Sequence, residues 1–192
     1  MIPGKLLILV GNSGTGKDSL LTVLKKEATE AAEDLRLVFP KRWITRNQED
    51  PNEAYFPISL SGFVEKIKAG DFFVWWEAYA YFYGIDHAIL AQLNAGINVV
   101  LNVSRKVIPE LRQRYPHTIV IQIDVPPEKV SERLAKRTRG VVSEIRLRLE
   151  RAETFKDFQD WDIRFNNDGD LQSRSRNFIA LFRELLCTRN GI

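Results

Sequence analysis

Residues 6–20 read LLILVGNSGTGKDSL, five apolar residues that run straight into a glycine-rich turn. The turn in turn opens a series with helical spacing, Leu20, Leu21 and Leu24. A continuous apolar run is the signature of a strand buried on both faces, and a helix that follows at once must fold back onto the sheet. The chain is therefore expected to build an α/β fold around a parallel sheet. The turn also carries chemistry. Gly11, Gly16 and Lys17 satisfy G-x-x-x-x-G-K, the pattern of a loop whose backbone amides cradle phosphates while its lysine reaches the outer ones. The helix start adds its dipole, and both features favour an anion.

One position breaks the pattern. Asp18 stands where Ser or Thr normally offers a hydroxyl to Mg²⁺. Two readings stay open. An acid suits the first turn of a helix. Its carboxylate is also a hard oxygen ligand for Mg²⁺, directly or through water. Gly11, Asn12, Ser13, Gly14, Thr15, Gly16, Lys17, Asp18 and Ser19 are accordingly the candidate nucleotide-binding residues, with Asp18 the candidate metal ligand.

Downstream, strand-like and helical patterns alternate. Extended stretches are expected at 35–39, 43–45, 71–84, 98–103, 118–125 and 162–166. Helices are expected at 17–32, 59–70, 86–96, 106–115 and 170–186. The alternation falters between Val38 and Tyr83, which suggests a small subdomain hung from the sheet. The 192 residues suit one domain. A net charge of +3 gives no basic stripe for nucleic acid. The single cysteine, Cys187, excludes an internal disulfide and fits a reducing cytoplasm. No apolar run approaches the roughly 20 residues of a membrane helix.

Arginines gather late in the chain. Pro126 and Pro127 open a helix bearing Arg133 and Arg137, four apart on one face. After the break TRGVVS, Arg148 and Arg151 share a face of the next helix. With a phosphate loop in the same chain, two arginine-bearing helices around a break read as a lid that neutralises a transferring phosphoryl group. The bland alternative is a solvated helical pair bridged by Glu132, Glu144 and Glu150.

Taken in order, the loop at 11–17, ITR (44–46), the helix around Phe63, YG (83–84), the arginines at 133–151 and NNDGDL (166–171) resemble the guanylate kinase family. The resemblance implies a three-layer P-loop kinase fold with a mainly parallel sheet. It implies one domain: a core of 1–37, 84–132 and 156–192, an acceptor-binding subdomain at about 38–83 and a mobile lid at about 133–155. It also implies ATP and Mg²⁺ as cofactors, Lys17, Arg137 and Arg148 as catalytic cations, and Arg133, Asn167 and Asp168 beside the nucleotide. Arg46, Tyr55 and Tyr83 match the residues that hold the acceptor's phosphate.

The departures bear on the acceptor. The family reads guanine with polar side chains at three positions, which here are Val74, Ile85 and Asn102. Polar groups that read a base reject analogues because they are left unpaired, so their removal abandons base recognition. GKDSLL (16–21), RWITR (42–46), FYG (82–84), VLNVSR (100–105) and NNDGDL are more similar to the ribose 1,5-bisphosphate phosphokinase branch. That branch transfers the γ-phosphoryl of ATP to a sugar bisphosphate, often in phosphonate catabolism. An acceptor with two phosphates and no base fits Lys41, Arg42, Arg46 and Arg105. Arg42, Arg46, Tyr55, Tyr83, Asn102 and Arg105 are the expected substrate-binding set. The expected partners are small molecules, with no nucleic acid and no membrane, and a homodimer is compatible with the sequence. A guanylate kinase with an altered pocket and a non-catalytic binding module are the competing readings.

Overall fold

A computed structural model of the chain describes residues 2–30, 35–46, 54–126, 129 and 157–187. β1 (Leu6–Val10) is buried at all five positions, as its unbroken apolar run requires. α1 (Lys17–Glu30) follows the glycine loop. After β2 (Leu37–Val38) come β3 (Trp43–Ile44), β4 (Phe56–Pro57), α2 (Leu60–Ala69) and the paired strands β5 (Phe72–Ala78) and β6 (Tyr81–Asp86). Then follow α3 (Ile89–Asn94), β7 (Asn98–Asn102), a single 3₁₀ turn at Arg105–Val107, α4 (Ile108–Arg114), β8 (Thr118–Asp124), β9 (Ile163–Asn166) and α5 (Leu171–Cys187). A five-stranded, mainly parallel sheet has the order β2-β7-β1-β8-β9, and a four-stranded sheet the order β4-β3-β6-β5.

The chain divides into two compact units, Met1–Leu7 with Val38–Thr118, and Ile8–Leu37 with Ile119–Ile192. In the first, the four-stranded sheet has two unlike faces. Trp43, Phe72 and Phe82 cluster on α2, with Phe63 of that helix 4.6 Å from Phe72 and 5.7 Å from Phe82 between ring centroids. Gly84 serves this packing, because a Cβ there would lie 2.5 Å from the Phe72 ring. A bulge between Phe72 and Val74 permits it. With one residue extra, Phe72 joins the face of Gly84, while Val74 and Trp76 alternate to the opposite face. α2 itself is well bounded. Ser59 accepts from the Gly62 amide at its start, and Gly70 closes it in the left-handed conformation, φ 72°.

The residues expected as one extended stretch at 71–84 form a hairpin instead. Its turn is Tyr79–Ala80, both with positive φ (53° and 61°). Tight hairpins favour such angles because their twist matches that of the strands, but they usually recruit Asn or Gly. The absence of either residue hid the turn. β4 also escaped the sequence reading, since Pro57 lacks an amide donor. It is tolerated on this edge strand because Phe56 and Ile58, its neighbours, supply the bonds to the Arg42 and Ile44 carbonyls. The stretch at 35–39 shortens to the two residues of β2, after Arg36 at φ 44°.

In the second unit β8 and β9 pair in parallel from Ile121↔Ile163 to Asp124↔Asn166. α5 buries Phe178 and Phe182, with Phe165 of β9 edge-on to Phe178. Arg183 of α5 pairs with Glu27 of α1. No helix among the described residues is long and apolar enough to cross a membrane.

Candidate active site

The glycine loop closes on itself. The Asn12 carbonyl accepts from the Thr15 amide at 3.3 Å, the Thr15 hydroxyl at 2.9 Å and the Lys17 ammonium at 3.0 Å. Lys17 Nζ also donates to the Gly11 carbonyl at 2.7 Å. Ser13 and Gly14 make the turn between, and Gly14 and Gly16 have φ of 87° and 84°, open to glycine at no steric cost. At Gly11 the limit is space, since a Cβ would stand 2.6 Å from the Ile123 carbonyl oxygen. Lys17 begins α1, so its ammonium and the helix's first amides sit together, the donor set that a polyphosphate requires. Asp18 and Ser19 are exposed in the same first turn.

Asn167 is the fully buried polar side chain beneath this loop, 0% exposed. Its Nδ2 donates to the Thr15 carbonyl at 2.6 Å, and its Oδ1 accepts from Arg174 Nη1 at 3.1 Å. The Asn167 side-chain amide thus joins the loop to α5. Asp168 pairs with Lys129 and accepts from the Gly169 amide at 2.8 Å. Asp124, at the end of β8, pairs with Arg164. Arg174 had no place in the sequence reading, for no motif contains it. Arg133, Arg137 and Arg148, with the rest of the expected lid, lie outside the described residues.

The acceptor candidates lie in the other unit. Tyr83 of β6 is flanked by Ile44 of β3 and Trp76 of β5. The Trp76 and Tyr83 rings stack, 5.4 Å apart and 8° from parallel. The Arg42 guanidinium lies over Tyr83, 5.3 Å from the ring centroid, and Nη1 donates to the Asn102 carbonyl at 3.1 Å. Arg46 is paired likewise with Tyr55, at 4.9 Å, and the Tyr55 hydroxyl donates to the Arg46 carbonyl at 3.4 Å. A guanidinium over a ring face is held there by the ring's quadrupole, and it is the side chain best suited to pairing with an oxyanion. Arg105 is buried in the 3₁₀ turn after Ser104. The Lys41 ammonium lies over Phe56, 5.4 Å from the centroid. Trp76 was missed in the sequence because an aromatic-rich strand reads as core.

Val74 and Ile85 are direct cross-strand partners, on the same face as Trp76 and Tyr83. Each is 1% exposed. The strand wall next to the tyrosine is thus apolar and closed to solvent at these two positions.

The family model for guanylate kinase matches residues 3–174. The chain belongs to the guanylate kinase family. It is 36% identical over 181 residues to a ribose 1,5-bisphosphate phosphokinase of Bradyrhizobium diazoefficiens, across 94% of this chain and 89% of that one. It is 34% identical over 184 residues to a namesake of Thiobacillus denitrificans, across 96% and 95% of the two chains. Among solved structures it resembles the guanylate kinase of Anaplasma phagocytophilum, with a TM-score of 0.67 over 97% of this chain and 88% of that one, at 17% identity. That structural likeness speaks for the fold. The kinase relatives speak for phosphotransferase chemistry, and the chain is an enzyme of that class.

Proposed function

We propose that this kinase transfers the γ-phosphoryl group of ATP to ribose 1,5-bisphosphate, giving 5-phosphoribosyl 1-diphosphate and ADP, in the service of phosphonate catabolism in the cytoplasm. The observation that carries the reading is the Val74–Ile85 pair beside Tyr83. A purine would find no polar partner on that wall, whereas Arg42 and Arg46, each set on a tyrosine ring, suit phosphates.

An oxygen of the acceptor's 1-phosphate attacks the γ-phosphorus. The bond from that phosphorus to the β,γ-bridging oxygen breaks, and ADP leaves with the electron pair. The attacking oxygen is already anionic, so no strong general base is needed. Catalysis is positioning and charge neutralisation. The loop from Gly11 to Gly16 holds the donor phosphates, and Lys17 neutralises charge on the outer ones. Arg137 and Arg148 neutralise charge on the transferring group, and Arg133 binds the nucleotide. Arg42, Arg46, Tyr55, Tyr83, Asn102 and Arg105 hold the acceptor, while Asn167 and Asp168 flank the nucleotide.

The donor set suits Mg²⁺ carried in on the nucleotide. Among the described residues no three acidic, histidine or cysteine side chains form a resident metal site, and Asp18 is the carboxylate in the helix turn next to the loop. Mg²⁺ there would draw charge from the phosphate oxygens, with Asp18 in the place of the usual hydroxyl. A guanylate kinase reading has Val74 and Ile85 against it, and a binding module has no need of Gly16–Lys17. The test is ADP release from ATP with ribose 1,5-bisphosphate or GMP as acceptor.

A further inference from the structure

Arg174 of α5 stands one residue removed from the phosphate loop. Its Nη1 donates to Asn167 twice, to Oδ1 at 3.1 Å and to the backbone carbonyl at 3.3 Å. Its Nε donates to the Asp170 carbonyl at 3.2 Å. A guanidinium only donates, and a backbone carbonyl only accepts. Asn167 lies between one of each, so its amide has a single orientation that satisfies both neighbours: Oδ1 toward Arg174, Nδ2 toward the Thr15 carbonyl, 2.6 Å away. The Asn167 backbone N–H donates to the Asp124 carbonyl at 2.8 Å, which seats the residue at the end of β8.

The Thr15 carbonyl belongs to the peptide unit that precedes Gly16. In a planar trans peptide the C=O and N–H point in opposite directions. With the Thr15 oxygen drawn onto Asn167, the Gly16 N–H points away from Asn167. Gly16, at φ 84°, has no Cβ to resist that setting.

We propose that Arg174 is a positioning residue of the donor site: through Asn167 it sets the Thr15–Gly16 peptide so that the Gly16 amide is presented to a nucleotide's phosphate. This rests on the reading of the loop as a phosphate cradle. The ligand class is a nucleoside di- or triphosphate, and the effect falls on the donor rather than on the sugar acceptor. Loss of the guanidinium removes that donor from Oδ1 and loosens the hold of Nδ2 on the Thr15 carbonyl.

The test uses the full-length protein and ADP as the probe, with calorimetric binding, steady-state KM for ATP and for the acceptor, and the thermal midpoint. In Arg174→Ala the ADP Kd and the ATP KM should rise about tenfold, the scale of a lost charge-assisted hydrogen bond. The acceptor KM should stay within about twofold. Arg174→Lys, which keeps a cationic donor, should recover most of the loss. Arg174→Met keeps the alkyl stem and is read in the same way, so an alanine variant that fails to fold does not end the test. In an Asn167→Ala background Arg174→Ala should add nothing. Unchanged ADP affinity in a folded Arg174→Ala or Arg174→Met variant, or full additivity of the two alanines, overturns the proposal alone. Wild-type protein that does not bind ADP overturns the phosphate-cradle reading and the proposal with it.

Discussion

The Arg42 guanidinium lies over Tyr83, 5.3 Å from the ring centroid, with Nη1 tied to the Asn102 carbonyl at 3.1 Å. Tyr83 is itself held against Trp76. The cation therefore stands on a stack of two rings and a strand end, none of which is a base-reading group. Asn102 contributes here through its backbone, which makes the identity of its side chain secondary to Arg42's position.

Arg42→Ala should raise the acceptor KM by tenfold or more, given about 1.5–3 kcal/mol for a hydrogen bond to a charged group. The ATP KM should hold. Steady-state kinetics with each substrate varied in turn would show the split, and an unchanged acceptor KM would assign Arg42 to the fold alone.

Gly11→Ala should damage the loop before it damages the rest of the domain. The added methyl would meet the Ile123 carbonyl oxygen at 2.6 Å, and backbone does not swing aside as a side chain does. A cost of about 1–3 kcal/mol is expected from such overpacking. Urea denaturation measures it, and ADP calorimetry should show weakened binding in the same variant.

Asp18→Ser restores the hydroxyl of the common pattern and removes a carboxylate from the first turn of α1. If that carboxylate meets the metal, the Mg²⁺ dependence of turnover should weaken and kcat should fall more than ATP affinity does. A Mg²⁺ titration identical to wild type would leave Asp18 as an ordinary acid at a helix start.

The sequence was most readable where one residue type serves one local demand. Gly11, Gly16 and Lys17 announce a phosphate loop because their spacing has few other uses, and β1 follows from its unbroken apolar run. Arg42, Arg46 and Tyr83 were marked by their motif, and the three lie in the same unit, with Arg42 on Tyr83. What could not be read depends on partners distant in the chain. Arg174 reaches the loop only through Asn167, a relation that no spacing encodes. Trp76 looks like core until its strand is paired with Tyr83, and that pairing depends on a turn at Tyr79–Ala80 with no glycine to mark it. The bulge at Phe72 and Val74 decides which residues share the face of Tyr83, and a bulge leaves little trace in an aromatic-rich stretch.

The central claim is that the acceptor is a sugar bisphosphate and carries no base. It is tested most directly by kcat/KM for ADP release with ATP held saturating and ribose 1,5-bisphosphate or GMP varied. The account predicts turnover of the bisphosphate with a preference of at least about a hundredfold over GMP, as a site without base-reading groups implies. Turnover of GMP at an equal or greater kcat/KM would contradict it.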